Sequence, residues 1–201
     1  KALTLLERDG YIERIQGKGT FVSKRNTESI SFDNQFINKL ANSGITAKLK
    51  NTGYKSSSKI ITKGVTSDLK LASKKLRIHL HDYIFILHRI RYADDMPLSV
   101  EYVYSPMSIM DDDIFTTDFE NVSFYDYLNK LNHLPVHFSR VFKAVRCSEK
   151  EAQYLQIEPL TPVYLCEDIA RDQEGRVIEY VRTYIRTDMM RISFNSYTKD
   201  Y

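Results

Sequence analysis

Apolar and polar positions along the chain follow two periods, and their alternation sets out most of the elements. From Ile84 to Tyr92 β-branched and aromatic residues dominate, and the run breaks at Asp94-Asp95-Met96-Pro97. That is strand composition followed by a turn, and Leu98–Tyr104 predicts the returning strand. The same reading predicts strands over Val136–Val145, Val163–Arg171 and Val177–Arg186, with a turn at Gln173-Glu174-Gly175 between the last two. A polar–apolar strand region spans roughly 47–63, and a short final strand lies near 191–195. Helical spacing predicts helices over 34–43, 67–75, 123–131 and 148–155. In the first, Phe36, Ile37 and Leu40 share a face and Gly44 closes it; Ser123 with Asp126 and Ser148 with Glu151 resemble capping boxes. Strands that follow one another through hairpins pair antiparallel. The expected fold is therefore α+β, a mostly antiparallel sheet with inserted helices.

The first residues carry a different pattern. Ala2, Leu3, Leu5 and Leu6 make an apolar stripe over 2–9, and Gly10 stands where a left-handed C-cap belongs. Tyr11–Ile15 and Thr20–Val22 read as two short strands around Gln16-Gly17-Lys18-Gly19, which is hairpin chemistry. A helix end, a glycine stop and a basic hairpin make the second half of a winged helix, with Lys18 at the tip facing phosphate oxygens or a groove. The expected organisation is a partial winged helix-turn-helix over 1–23, a polar linker over 24–31, and a second domain over 32–201. A start at Lys1, inside a helix, reads as a piece of a longer protein.

Charge supports that division. Residues 1–25 hold six basic and three acidic side chains, so the whole formal charge of +3 resides there and the remainder is neutral. A basic head on a neutral body suits a nucleic-acid-facing segment joined to something else. No apolar run approaches the roughly 18 residues of a membrane span, and no secretory signal opens the chain. Two cysteines, Cys147 and Cys166, are too few for a disulfide framework and read as reduced thiols of a cytoplasmic protein. His79, His81, His88, His133 and His137 show no metal-ligand spacing, and no nucleophile elbow or phosphate-cradling glycine loop is present. No metal, cofactor or catalytic residue is expected.

Arg89 and Arg91 are the sharpest chemical feature. In a strand they share a face with Phe85 and Leu87, while Ile84, Ile86 and Ile90 fill the other. Guanidiniums on an apolar strand need anionic partners. Either a bound phosphate or carboxylate supplies them, or local acids do: Asp94, Asp95 or Glu101. If the turn leaves a three-residue loop (94–96), Arg91 faces Ser99 and Arg89 faces Glu101. Glu101 then accepts from a sugar hydroxyl or from arginine. Ser123, beside Tyr125, either caps its helix or donates to an anion at the helix N-terminus. Glu179 can accept from a second hydroxyl or an amine. Arg186 lies at odd spacing from it, facing the other side, and is structural, paired with Asp188.

Residues 2–22 resemble the end of the winged-helix domain of the GntR family, through Ala2-Leu3, Leu6-Glu7, Gly10-Tyr11-Ile12 and above all Gly17-Lys18-Gly19-Thr20-Phe21-Val22. The remainder resembles the UTRA effector domain of the HutC branch, with its chorismate-lyase-like fold. The matching residues are Arg89-Ile90-Arg91, Ala93-Asp94, Pro97, Glu101, Ser123-Phe124-Tyr125, Glu149 to Leu155 with Ile157, Gly175, Ile178-Glu179, Arg186, Asp188 and Phe194. The resemblance implies a homodimeric repressor that binds a double-stranded operator through Arg14, Gln16, Gly17, Lys18, Gly19 and Thr20. It implies an effector site of Arg89, Arg91, Glu101, Ser123, Tyr125 and Glu179 for a small anionic metabolite, a sugar phosphate or amino-sugar phosphate. A carboxylate-sensing regulator and a chorismate-lyase-like enzyme are the alternatives; a basic hairpin and linker argue against the enzyme. Two departures stand out. Most of the DNA-binding domain precedes Lys1, and members sensing phosphorylated amino sugars often carry Tyr directly before the final Arg, where this chain has Ile185 with Tyr184 one earlier.

Overall fold

A computed structural model describes residues 54–192 continuously, together with Leu3, 12–15, 17–22 and 30–32. The helices expected over 2–9 (Leu3 apart) and 34–43, and the start of the strand region at 47–53, lie outside the described residues.

The body is one six-stranded antiparallel sheet. Its strands are β4 (Ser56–Thr66), β5 (Ile84–Ala93), β6 (Met96–Pro106), β7 (His137–Arg146), β8 (Pro162–Arg171) and β9 (Val177–Arg186), in the order β4-β5-β6-β9-β8-β7. Three short helices are inserted: α1 (Lys70–Leu76), α2 (Phe124–Lys130) and α3 (Glu149–Leu155). The α+β, antiparallel expectation holds, and each strand expected between 84 and 186 forms within two residues of its expected bounds.

The differences have local causes. The helix expected from residue 67 starts at Lys70, because Asp68 takes a positive φ of 61° and Leu69 is the N-cap. Residues 107–122 fold into two 3-10 turns, Met107–Ile109 and Asp112–Phe115, that no apolar period announced. The Ser123 hydroxyl accepts from the Asp126 amide, as the capping pattern required. Ser148 does not cap in that way; its hydroxyl donates to the Glu151 carboxylate instead. The linker expectation also needs correction. Ile30–Phe32 forms strand β3, paired in parallel with β10 (Met190–Ile192), so residues 30 and 31 belong to a sheet.

At the N-terminal side β1 (Ile12–Ile15) and β2 (Gly19–Val22) pair antiparallel, Arg14 opposite Thr20 and Ile15 opposite Gly19. Gly17 and Gly19 hold positive φ values of 78° and 111°, a conformation that glycine adopts without steric cost. The hairpin read from the sequence is therefore present.

Both faces of the large sheet are covered. On one, Phe119, Phe124 and Leu128 from the 107–131 segment pack on Phe85, Leu87 and Val103. On the other, Ala72 and Leu76 of α1 pack on Ile84 and Tyr180, and Ala152 and Leu155 of α3 on Ile90, Val100 and Val163. The helices hold the sheet from both sides, so its central polar residues are buried between layers.

Candidate functional site

Strand alternation puts Arg89 and Arg91 on the face beneath the 107–131 segment, with Phe85 and Leu87. The pairing extends this face across the sheet. Arg91 lies between Ser58 and Ser99, and Arg89 between Ile60 and Glu101. Thr183 and Ile185 continue it on β9, opposite Glu101 and Ser99. Cys166 and Asp168 follow on β8, and Arg140 on β7 faces Asp168. The register matches the one expected from the sequence by a different route. The turn holds two residues, with Ala93 opposite Met96, and a bulge between Arg91 and Tyr92 supplies the extra residue.

Glu101 is the hub. Arg89 Nε donates to its Oε2 at 2.7 Å, and Arg91 Nε donates to the same oxygen at 3.0 Å. The Arg89 and Glu101 side chains are 6% and 9% exposed. Burial by itself would raise the Glu101 carboxyl; the guanidiniums of Arg91 and Arg89 reverse that and hold it at about 2. The group is therefore an ionised cluster in a low-dielectric layer, where charge–charge contacts are strong. Of the local acids weighed as partners, Glu101 serves; Asp94 accepts from the Lys55 amide at 2.9 Å. Arg91 Nη1 also donates to Ser58 Oγ at 2.8 Å.

A second group lies on the same face. Tyr125, carried by α2, donates from its hydroxyl to Glu179 Oε2 at 2.8 Å. Burial pushes Glu179 up to about 8, so at neutral pH this carboxyl is largely uncharged and able to donate as well as accept. Arg140 Nε meets Asp168 Oδ1 at 2.5 Å, with side-chain exposures of 9% and 13%. Burial works against the Arg140 charge, and the Asp168 carboxylate more than offsets it. Coulombic coupling runs from Glu179 to Asp168, Arg89 and Glu101, which makes the two groups one electrostatic unit.

A UTRA domain model matches residues 51–191. The chain belongs to the UTRA family. It is 27% identical over 191 residues to the HTH-type transcriptional regulator GgaR of Escherichia coli K12, covering 94% of this chain and 71% of that protein. It is 25% identical over 189 residues to the HTH-type transcriptional repressor NagR of Bacillus subtilis, covering 94% and 74%. Among solved structures, PhnF of Mycobacterium smegmatis superposes with a TM-score of 0.76 at 20% identity, covering 98% of this chain and 83% of that one. A GntR-family transcriptional regulator of Enterococcus faecalis superposes at 0.59 with 28% identity, covering 72% and 100%. The protein is a transcriptional regulator with a UTRA effector domain of the GntR type, and these relatives are regulators, not enzymes. Among the described residues, no helix is long and apolar enough to cross a membrane.

Of the residues singled out in the sequence, the UTRA sheet brings Arg89, Arg91 and Glu101 into direct contact and joins Tyr125 to Glu179. Ser123 stands apart from these contacts: it is exposed, and its hydroxyl accepts from the Asp126 amide at 3.4 Å. Arg186 pairs with Asp188 at 2.7 Å, the structural role expected of it. The Ile185 departure is a difference of face. Ile185 packs with Leu98 and Cys166 at the margin of the polar face, whereas Tyr184 lies on the opposite side, its ring 6.0 Å from that of Tyr102. In the hairpin, Gly17, Lys18, Gly19 and Thr20 are exposed; Gln16 and the Arg14 side chain lie outside the described residues. Both cysteines are free and buried.

Sequence reasoning missed Arg140, Asp168 and Ser58, and gave Ser99, placed opposite Arg91, no role. The signal was available in two of them. Asp168 alternates with Cys166 and Ala170, and Arg140 with Phe138 and Phe142, the same pattern of charge at an inward strand position that singled out Arg89.

Proposed function

We propose that the protein is a HutC-type repressor whose UTRA domain binds a small anionic metabolite, a sugar phosphate or amino-sugar phosphate, and thereby changes operator affinity. The observation that carries this reading is the pair of buried guanidiniums, Arg89 and Arg91, aligned on one carboxylate oxygen of Glu101. Glu101 fixes the planes of both forks, so an arriving anion meets donors that are already oriented. Glu179 and Tyr125 supply neutral donors and acceptors suited to sugar hydroxyls. One relative, from Shigella flexneri, is named as a probable fructoselysine utilization operon transcriptional repressor, which supports a sugar-derived ligand.

The basic hairpin, with exposed Gly17, Lys18, Gly19 and Thr20 joined by Arg14 and Gln16, is the wing of a winged helix that contacts double-stranded DNA in the longer protein. Residues 1–23 are its remnant, and the domain from residue 32 onward binds effector and forms the homodimer that a near-palindromic operator requires. Ligand acts by favouring one arrangement of the two DNA-binding heads. A thermal-shift screen of the chain against sugar phosphates and organic acids tests the reading. A phosphorylated sugar should raise the melting temperature most, since a ligand selective for the native state stabilises it. A shift given only by organic acids would replace the phosphate reading with the carboxylate one.

A further inference from the structure

The sheet's other face, beneath α1 and α3, carries a guanidinium without a carboxylate. His88 on β5, Tyr102 on β6 and Arg182 on β9 are consecutive cross-strand partners, so they form one row across that face. The row runs between the two helices: α1 covers Ile84 and Tyr180 on one side of it, and α3 covers Ile90 and Val100 on the other. His88, Tyr104, Arg182 and Tyr184 keep partial exposure there. His88 Nε2 and Arg182 Nε are nevertheless buried, with no hydrogen-bond partner among the described residues. Arg182 donates once, from Nη2 to the Tyr184 hydroxyl at 2.6 Å, and forms no ion pair among the described residues. The nearby carboxylates are engaged elsewhere. Glu167, opposite Arg182 on β8, accepts from Lys143 and Tyr180, and Glu151 of α3 accepts from Tyr102 and Ser148. Rings line the row: His88 lies 4.8 Å from Tyr102 and 5.6 Å from Tyr104, and the Arg182 Cζ lies 5.5 Å from the Tyr184 ring. Lys75 of α1 and Lys150 of α3 place Nζ 5.6 Å from the Tyr180 and Tyr102 rings, one from each side.

We propose that this row is a second ligand site, for a small planar aromatic carboxylate, on the opposite side of the sheet from the effector face. The carboxylate would sit on Arg182, whose Nε is free to donate and whose plane is held by Tyr184. Lys75 and Lys150 add positive potential from both walls. Burial and the Lys150 charge push His88 down to about 4, so at neutral pH it is an uncharged imidazole that can donate or accept at Nε2. His88 and Arg182 stand two strand spacings apart, about 10 Å, so an aromatic ring bearing a carboxylate lies between them. Such a ring joins the His88, Tyr104 and Tyr184 rings edge to face, which favours it beyond the area it buries. An unbranched apolar side chain would fill the place of Arg182 and avoid holding a guanidinium without a counter-charge. The charge contributes when an anion arrives.

Titration calorimetry with phenylacetate, cyclohexylacetate and 2-phenylethanol tests the site in the wild-type chain, Arg182→Met, His88→Phe and Arg89→Ala. The wild type should prefer phenylacetate to cyclohexylacetate, which has the charge without the ring, and to 2-phenylethanol, which has the ring without the charge. Arg182→Met should bind phenylacetate at least roughly tenfold more weakly, the loss of a charge-assisted hydrogen bond. His88→Phe keeps a ring and loses the nitrogen, and should weaken binding severalfold. Arg89→Ala, on the other face, should bind phenylacetate as the wild type does. Without ligand, Arg182→Met should melt within about 2–4 °C of the wild type, because no ion pair is lost. A much larger drop would make the guanidinium structural and overturn the site. Phenylacetate binding that survives Arg182→Met, or that disappears in Arg89→Ala, would put the probe elsewhere and overturn it too. Equal affinity for cyclohexylacetate would remove the aromatic selectivity and the proposal with it. If the wild type binds no phenylacetate, the row has another occupant, such as a second copy of the chain, and the assignment falls.

Discussion

The two faces of the central sheet bury polar groups by opposite chemistries. On the face beneath α2 two ion clusters are buried, Arg89, Arg91 and Glu101 in one and Arg140 and Asp168 in the other, beside the Tyr125–Glu179 pair. On the face beneath α1 and α3 the buried polar groups are mostly phenols. Tyr102 donates to Glu151 Oε1 at 2.7 Å, Tyr180 donates to Glu167 Oε1 at 2.9 Å, and the Tyr104 and Tyr180 rings stack 5.8 Å apart. Neutral hydroxyls with large apolar bodies are an economical way to pack a sheet against helices, since the ring contributes burial and the tip needs one partner. Buried ion clusters seldom stabilise a fold better than well-packed apolar groups would. A protein that builds one face each way, from alternate residues of the same strands, has reason to keep charge on the first. The reason we propose is recognition of a charged ligand.

The contrast can be broken by substitution. The largest effect should come from Glu101→Gln, which leaves two buried guanidiniums sharing a neutral amide. Unfolding free energy in urea should fall by about 3–5 kcal/mol, the cost of an uncompensated buried charge. The wild type should show the matching pH dependence. Glu101 has a folded value of about 2 against 4.5 for the free group, so its contribution is complete above 4.5 and is lost as pH falls toward 2. A Glu101→Gln protein as stable as the wild type at pH 7 would mean the charged face is not held together by this hub.

Glu179 should act with the opposite sign. Its folded value of about 8 lies above the ordinary 4.5, so the folded state binds more protons than the unfolded state between those limits. Stability therefore declines as pH rises from 4.5 to 8, and Glu179→Gln should flatten that decline. An unchanged slope would show that Glu179 is ionised in the folded protein. On the phenolic face, Tyr102→Phe should cost about 1–3 kcal/mol, because Glu151 loses a donor while keeping the Ser148 hydroxyl. It should leave effector affinity unchanged by calorimetry. A loss of affinity there would erase the distinction between the faces.

The sequence made the charged face partly legible and the phenolic face hardly at all. Arg89 and Arg91 stand out because guanidiniums interrupt an apolar strand, and the spacing to Glu101 survives whether the turn holds two residues with a bulge or three without one. The helix starts at Ser123 and Ser148 were visible from residues three apart, yet the same pattern served two structures: Ser123 caps a backbone amide, and Ser148 bonds a side chain. The fold of residues 107–122 was not visible, because its 3-10 turns are too short to develop a period. Asp168 and Arg140 escaped because their strands carry other charges on the opposite face, Glu167 beside Asp168 and Lys143 three residues from Arg140, and an inward charge reads as an outward one until the register is known. Ser99 was placed opposite Arg91 but given no role, since a small polar residue in a strand becomes informative only when burial and the lack of a partner are seen together.

The central claim is that the charged face is a ligand site and not a structural ion cluster. Calorimetry of a phosphorylated sugar against the wild type and Arg89→Ala tests it most directly. Losing one charge-assisted hydrogen bond at a buried site costs about 1.5–3 kcal/mol, so affinity should fall roughly ten- to a hundredfold in the folded variant. Operator binding by the full-length variant should persist while its response to effector disappears. An Arg89→Ala protein that binds the phosphorylated sugar as tightly as the wild type would contradict the account, and the arginines would then be structural.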